Sequence, residues 1–249
     1  MVIGFVGSGS MAAAMARGWA GAVDGMLFSD SGSGRAARLA AELGGEALGN
    51  EEIAARADLV VLAVKPNDLD AVAPQLQDAK EVVSVLDAVP LQRLAEALPG
   101  ARVLRAIPNV GVEVRKGVLC VAGEAGEEAR AKLAVLGRVV EVAEGEDFDA
   151  AAEVMGCSPA YLALAVEAIA DAGAANGLDP ELALELVVET AVGTAELLRR
   201  HTPAELRKAV ASPGGSTEKG LEALEREGVR GAFEAAVEAS LQWTSRSLG

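Results

Sequence analysis

Glycines near the start of the chain have the spacing of a phosphate-binding loop. Gly7, Gly9 and Ala12 form a Gly-x-Gly-x-x-Ala pattern between a predicted strand, Val2–Val6, and a predicted helix, Met11–Ala22. Gly7 would permit a tight turn, Gly9 would let a pyrophosphate approach the backbone, and the N–H groups at the helix start would bind its charge. The pattern predicts a dinucleotide site, with a glycine-rich turn that binds nothing as the alternative.

The turn after the second predicted strand, Met26–Ser29, should lie beside the ribose of the adenosine. Asp30 could accept a hydrogen bond from a ribose 2′-hydroxyl, which favours NAD(H). Ser29, Ser31 and Arg35 could instead bind a 2′-phosphate, which favours NADP(H). The sequence leaves both cofactors open, and Arg35 could also be a solvated residue at a helix start.

A second candidate anion site is the segment Ser212–Thr217, which reads Ser-Pro-Gly-Gly-Ser-Thr before a predicted helix. Gly214 and Gly215 would let the backbone turn its N–H groups inward. Neither Ser216 nor Thr217 has Glu or Gln three residues later, so no capping box is expected. A bound carboxylate could take the capping role, and an ordinary Ser or Thr N-cap is the alternative.

The elements that must position these loops change type along the chain. Up to about residue 147, short apolar strands such as Leu59–Val64 alternate with helices, which predicts a parallel sheet covered by helices. Beyond that point only helices are predicted, the first beginning at Pro159 and the last spanning Gly231–Leu248. We therefore expect the α/β class, with a Rossmann-type dinucleotide-binding domain at 1–148 and an all-helical domain at 149–249.

Composition argues against several other kinds of site. The net charge of −15 would repel phosphate backbones and anionic lipids, so neither nucleic acid nor a membrane surface is an expected partner. Two cysteines, Cys120 and Cys157, and one histidine, His201, are too few for a disulfide framework or a metal site. The chain shows no signal-peptide pattern and no long uncharged apolar run, which predicts a cytoplasmic protein without a membrane span.

The second loop resembles the Ser-Pro-Gly-Gly-x-Thr signature of pyrroline-5-carboxylate reductases. Other segments resemble the same family in the same order over essentially the whole chain; they are Gly7–Ala12, Ala63–Pro66, Arg105–Asn109, Ser158–Tyr161, Glu167–Gly173 and Asn176–Leu178. The resemblance implies reduction of 1-pyrroline-5-carboxylate, an imino acid, to L-proline with NADP(H) or NAD(H). It also implies that the helical domain binds substrate and forms a homodimer, which could assemble further into a decamer.

The resemblance also implies roles for individual residues. Those implied to contact the cofactor are Val6, Gly7, Ser8, Gly9, Ser10, Met11, Asp30, Ser31, Asn50, Ala63, Val64, Lys65 and Pro66. Those implied to hold the substrate's carboxylate and ring nitrogen are Ser212, Gly214, Gly215, Ser216 and Thr217. Thr217 is our candidate catalytic residue, because its hydroxyl could orient the ring nitrogen. We interpret Lys65 as shaping the cofactor-binding turn rather than as a proton donor.

Three segments depart from the family pattern. The chain has Leu86-Asp87-Ala88 where the family commonly has Ala-Ala-Gly, Asn109-Val110-Gly111 where it usually has Asn-Thr-Pro, and Met155–Ser158 where it usually has Ser-Gly-Ser-Gly. The Asp87 segment should lie near the nicotinamide, so its carboxylate could change the cofactor fit or the preferred imine.

Two other functions therefore remain open from the sequence. One is reduction of another small cyclic imine, and the other is a non-catalytic dinucleotide-binding protein on the same fold. A β-hydroxyacid dehydrogenase is disfavoured, because such enzymes need a lysine in the helical domain and this chain has none between Lys132 and Lys208.

Overall fold

The computed structural model describes residues 1–247, which contain eight strands and eleven α-helices. The strands are β1 (Val2–Val6), β2 (Gly25–Ser29), β3 (Glu46–Ala47), β4 (Leu59–Leu62), β5 (Glu81–Ser84), β6 (Arg102–Pro108), β7 (Gly117–Gly123) and β8 (Gly137–Glu141). The helices are α1 (Ser10–Trp19), α2 (Arg35–Leu43), α3 (Asn50–Arg56), α4 (Leu69–Val72), α5 (Leu91–Ala97), α6 (Glu127–Val135), α7 (Glu146–Ala175), α8 (Pro180–Leu198), α9 (Pro203–Val210), α10 (Ser216–Arg226) and α11 (Val229–Ser247).

All eight strands form one sheet in the order β3-β2-β1-β4-β5-β6-β7-β8. The order of the first six, which are all parallel, is that of a Rossmann fold, and the strand order switches sides between β1 and β4, where a ligand crevice opens. This confirms the predicted fold class. The expectation of an all-parallel sheet is wrong at β7, which runs antiparallel to β6. The eight residues between these strands are too few for the crossover that a parallel pair requires.

The register of the sheet brings four strand ends to one edge. Val6 at the end of β1 pairs with Ser29 of β2 and with Leu62 of β4, and Leu62 pairs in turn with Ser84 of β5. The loops that follow these strands therefore emerge side by side. In an open α/β sheet this carboxyl edge is where ligands bind.

Alternating side chains of β1 and β4 pack into cores on the two faces of the sheet. Ile3 and Phe5 lie in one core, together with α1, α2 and α6, whereas Val60 and Leu62 lie in the other, against α3, α4 and α5. The ring of Phe5 stacks on Phe28 of β2 with centroids 5.1 Å apart. Burial on both faces explains the continuous apolar runs of these strands and gives the glycine loop a rigid base.

The helix predicted to begin at Pro159 begins instead at Glu146 and runs through the proline. Proline has no N–H to donate to the carbonyl four residues earlier, which normally breaks a helix. Here that carbonyl, Met155 O, accepts a hydrogen bond from the side-chain amide of Asn109 at 3.2 Å. A contact from a distant loop therefore satisfies the group that the proline leaves unpaired.

The chain divides into two compact units, which are described separately. The first comprises Met1–Pro159 and the described residues after Ser240, and the second comprises Ala160–Ser240. The predicted domain boundary at 148/149 falls in the first turn of α7, and Leu248, the predicted end of the last helix, lies outside the described residues.

The second unit buries few of its own apolar side chains. Ala170 and Ala183 are the only buried apolar residues in the described part of this unit. Large apolar side chains that remain exposed include Leu162, Leu164, Ile169, Leu182, Leu184, Leu186, Val192, Leu197, Val210 and Phe233. Within residues 1–247, α7 alone is long and apolar enough to cross a membrane by length and composition, with a mean hydropathy of 1.3.

Candidate cofactor and substrate sites

The glycine loop connects β1 to α1 at the carboxyl edge of the sheet. Gly7 has a φ of +96°, and a Cβ there would lie 2.4 Å from the carbonyl oxygen of Ala63, so only glycine fits. Gly9 is the N-cap of α1, whose first turn has neither a side-chain cap nor an acidic residue. A Cβ on Gly9 would meet no protein atom within 4 Å. The helix start thus offers uncapped N–H groups beside open space, which fits a pyrophosphate.

Buried polar side chains join this loop to the end of β2. The Ser8 hydroxyl donates to the carbonyl oxygen of Ser29 at 2.8 Å, and the Ser29 hydroxyl lies 2.5 Å from the side-chain oxygen of Asn50. Asn50 donates in turn to the side chain of Gln75 at 2.9 Å. Ser29 is buried and engaged, so the expectation that it could bind a 2′-phosphate is wrong. Gln75 gave no signal in the sequence, because it belongs to no recognised motif.

The carboxylate of Asp30 is engaged by the loop that follows it. Its two oxygens accept hydrogen bonds from the backbone N–H groups of Ala36 and Gly32, both at 2.7 Å. These bonds, that from Ala36 most of all, lower the pKa of Asp30 below its ordinary value. Ser31 and Arg35 are exposed on the same loop, and within residues 1–247 Arg35 makes no ion pair.

An open cleft of about 440 Å³ adjoins this loop; it is lined by residues that include Asp30, Gly32, Gly34, Ala36, Leu48, Gly49 and Glu52. It lies at the end of β2, where an adenosine is expected in this fold. A wider cleft of about 530 Å³ is lined by Ala79 and Ala101, which precede β5 and β6. That cleft is therefore at the opposite edge of the sheet.

The segment after β4 forms a short turn next to the glycine loop. The N–H of Ala63 donates to the carbonyl of Val6 at 2.8 Å, so the two loops are joined by their backbones. Val64 is half-buried, whereas Lys65 and Pro66 are exposed. Lys65 precedes a 3₁₀ turn, and its carbonyl accepts from Asp68 N at 2.9 Å. This geometry agrees with a turn-shaping role for Lys65.

Asp87 lies at the same edge, three residues beyond the end of β5. Its side chain is exposed, yet the surrounding protein removes enough water to raise the pKa of the carboxyl, and the negative charge of Glu153 raises it further. The next residue, Ala88, has a φ of +61°, in the left-handed region that favours glycine. The segment that departs from the family pattern is therefore a strained turn with an acid beside the crevice.

The Ser212–Thr217 loop lies in the second unit. Gly215 N donates to Ser212 O at 2.9 Å and Gly214 has a φ of +74°, as in a type II turn. Helix α10 begins at Ser216 without a side-chain cap, and the exposed hydroxyls of Ser216 and Thr217 lie in its first turn.

This helix start has no capping box, in agreement with the sequence, although an acid of its first turn contacts the preceding loop. The helix begins one residue before Thr217, and the carboxylate of Glu218, three residues after the N-cap Gly215, accepts from Gly214 N at 2.7 Å. The first N–H groups of the helix, at Ser216 and Thr217, have no acceptor within the helix. They remain available to a ligand's carboxylate.

Comparison with known proteins finds a matching family for each half of the chain. Residues 145–247 match the family described as pyrroline-5-carboxylate reductase dimerisation, and residues 2–90 match the family described as NADP oxidoreductase, coenzyme F420-dependent. The solved 1-pyrroline-5-carboxylate reductase of Streptococcus pyogenes has a TM-score of 0.84 at 30% identity and covers 98% of each chain. A pyrroline carboxylate reductase of Plasmodium falciparum, solved with NADP bound, has a TM-score of 0.85 at 26% identity and covers 100% of this chain and 98% of that one.

Sequence relatives agree with the structural ones. The pyrroline-5-carboxylate reductase of Synechocystis sp. is 38% identical over 211 residues, which are 80% of this chain and 78% of that protein. Identity at this level over most of both chains shows that the protein belongs to the pyrroline-5-carboxylate reductase family.

Proposed function

We propose that this protein reduces 1-pyrroline-5-carboxylate to L-proline with a reduced nicotinamide dinucleotide. The observation that carries the proposal is the uncapped start of α1 at Gly9, at an edge where the ends of β1, β2, β4 and β5 are in register. Membership of the reductase family supports the choice of substrate.

The cofactor would be held along this edge by the residues inferred from the sequence. The loop from Val6 to Met11 would bind the pyrophosphate, Asp30, Ser31, Arg35 and Asn50 would lie at the adenosine end, and Ala63–Pro66 would support the nicotinamide half. When bound, the reduced nicotinamide supplies the hydride. The protein's main task is then to hold the imine carbon in line with that hydride.

The geometry at Asp30 supports a preference for NADPH. Both oxygens of its carboxylate accept hydrogen bonds from the loop, so the carboxylate orders that loop. That loop presents Ser31 and Arg35, which makes no ion pair within residues 1–247, and both side chains suit a 2′-phosphate.

Substrate binding would use the start of α10. The N–H groups of Ser216 and Thr217 would bind the carboxylate, the turn at Gly214–Gly215 would shape the loop around it, and Ser212 would add its hydroxyl. The Thr217 hydroxyl would orient the ring nitrogen. Glu218 lies next to this position, and its negative charge would repel a substrate carboxylate unless Gly214 N–H continues to hold it.

The exposed apolar surface of the second unit supports a homodimer. A unit with two buried alanines cannot close a core of its own, so helices of a second copy would cover side chains such as Leu162 and Leu184. The dimerisation match over residues 145–247 supports this use of α7 rather than a membrane span. We propose a functional domain boundary at 148/149, further assembly of the dimers into a decamer, and a cytoplasmic location for the enzyme.

The decisive assay is oxidation of NADPH and NADH by the purified protein, followed by absorbance, with and without 1-pyrroline-5-carboxylate. Oxidation that requires the imine, yields proline and is faster with NADPH is the expected result. Thr217→Ala should lower kcat while leaving the melting temperature unchanged, and the matched control Thr217→Ser should retain most of the activity. Binding of NADPH without turnover would overturn the proposal in favour of another cyclic imine or a non-catalytic role.

A further inference from the structure

Gln75 ends a chain of hydrogen-bonded residues that begins at the glycine loop. The Ser8 hydroxyl donates to the carbonyl of Ser29, and the Ser29 hydroxyl lies 2.5 Å from the side-chain oxygen of Asn50. The side-chain nitrogen of Asn50 lies in turn 2.9 Å from the side-chain oxygen of Gln75. The two serines are buried and the two amides are half-buried, so water competes little for these bonds. All four residues belong to the first unit.

The direction of donation along this chain is set from the Gln75 end. The side-chain nitrogen of Gln75 donates to the carbonyl oxygen of Ala71 at 2.9 Å, and a carbonyl can only accept. The amide of Gln75 must therefore present its oxygen to Asn50, which donates to it. The oxygen of Asn50 then faces the Ser29 hydroxyl and accepts from it. Reversing either amide would bring two acceptor oxygens together, so the orientation of Asn50 depends on Gln75.

This orientation leaves one donor of Asn50 unused. A side-chain amide has two N–H bonds, and within residues 1–247 the nitrogen of Asn50 donates to Gln75 alone. Asn50 is the first residue of α3, and its side chain reaches the end of β2 at the carboxyl edge of the sheet. The neighbouring residues Gly49 and Glu52 line the cleft of about 440 Å³ at that edge. The remaining N–H therefore suits an acceptor on a ligand, such as a ribose or phosphate oxygen of a dinucleotide.

We propose that Gln75 is a positioning residue for the cofactor, which holds the Asn50 amide so that its second N–H can donate to an oxygen of the bound dinucleotide. The inference rests on the proposed placement of Asn50 at the adenosine end of the cofactor. Without the oxygen of Gln75, the Asn50 amide is free to turn over, and its own oxygen would then face the oxygens of the cofactor and repel them. Gln75 acts through Asn50 and needs no contact with the cofactor itself.

The test measures the Kd for NADPH and for NADH by fluorescence titration. Gln75→Met keeps the length of the side chain and removes the acceptor, so the Kd for NADPH should rise about 2- to 10-fold, the effect of one net hydrogen bond. Gln75→Glu keeps an acceptor and should bind both dinucleotides more tightly than Gln75→Met does. Gln77→Met, which changes an exposed glutamine two residues further on, is the matched control and should bind as the wild type does.

The two dinucleotides identify the acceptor that Asn50 meets. A rise in Kd for both NADPH and NADH places the acceptor among the oxygens that they share, and a rise confined to NADPH places it on the 2′-phosphate. Either result supports the positioning role of Gln75.

A double-mutant cycle separates positioning from a general effect on the fold. Because Gln75 acts through Asn50, Gln75→Met should raise the Kd in the wild-type background and leave it unchanged in Asn50→Ala. Melting curves establish that each variant is folded at the temperature of the titration. An unchanged Kd in Gln75→Met, an equal rise in both backgrounds, or a Gln75→Glu variant that binds no better than Gln75→Met would overturn the inference. Failure of the proposed cofactor arrangement would look different, because Asn50→Ala alone would then bind NADPH as the wild type does.

Discussion

The Asp30 carboxylate offers a direct test of how this enzyme distinguishes its cofactors. Asp30→Ala removes two hydrogen bonds of 2.7 Å, to Gly32 N–H and to Ala36 N–H in the first turn of α2. Loss of such a cap costs about 1 to 2 kcal/mol. For a chain of this size that lowers the melting temperature by about 2 to 8 °C.

The same loss should appear in cofactor binding, measured by fluorescence titration with NADPH and with NADH. If the loop must be ordered to hold a 2′-phosphate, NADPH binding must supply the free energy of ordering that Asp30 no longer provides. Each 1.4 kcal/mol or so of that free energy raises the Kd for NADPH about tenfold. The Kd for NADH should change less, because the 2′-hydroxyl does not depend on that loop. Asp30→Asn keeps one acceptor oxygen and should fall between wild type and Asp30→Ala.

The pH dependence has a defined sign. Because the folded-state pKa of Asp30 is lowered, its stabilisation is present above the ordinary pKa of aspartate and is lost as pH falls through the lowered value. The gap in melting temperature between wild type and Asp30→Ala should therefore narrow in acid. An unchanged Kd for NADPH together with a raised Kd for NADH would refute the reasoning, since it would mean that Asp30 binds the ribose hydroxyl directly.

Substitutions at three further positions test the residues that support the site. Gly7→Ala forces a Cβ to within 2.4 Å of the Ala63 carbonyl oxygen at a positive φ, so urea unfolding should show a loss of about 2 to 4 kcal/mol, with NADPH binding abolished. Ala88→Gly should raise the melting temperature slightly, because it relieves about 1 kcal/mol of left-handed strain, and Ala88→Val should lower it. Arg105→Met strips a buried cation from two carboxylates, which should cost about 3 kcal/mol in the same urea assay; an unchanged midpoint would show that those carboxylates are well solvated without it.

Much of the cofactor-binding unit could be predicted from local pattern. The bounds of β1 are as expected, because the apolar spacing of this strand is set by its own burial. The Gly-x-Gly-x-x-Ala loop could also be identified from local sequence, because glycine readily adopts a positive φ such as that of Gly7. Local pattern did not predict β8. This strand is only half-buried, and it is stabilised by its pairing with β7.

The remaining differences came from contacts between distant segments. Nothing near Pro159 indicates that Asn109 would satisfy the carbonyl of Met155 and let α7 continue. Likewise, the composition of the turn after β2 allowed two cofactors, and only the position of Gly32 and Ala36 N–H around Asp30 favours one of them. Residue type therefore limited the possible chemistry, and the hydrogen-bond partners of each group are the basis for proposing one alternative over the other.

The distribution of acids around the helices strengthens the argument for an anion at α1. The chain has a net charge of −15, and each of the helices α2 to α7 has a carboxylate of the chain near its start. These carboxylates are Asp30 at α2, Glu52 at α3, Asp70 at α4, Glu144 at α5, Glu81 at α6 and Glu146 at α7. The first turn of α1 has none, and its N-cap is Gly9. Since a helix start favours negative charge, its N–H groups are left for an anion from outside the chain. The pyrophosphate of the cofactor meets that requirement at the place where the crevice of the sheet opens.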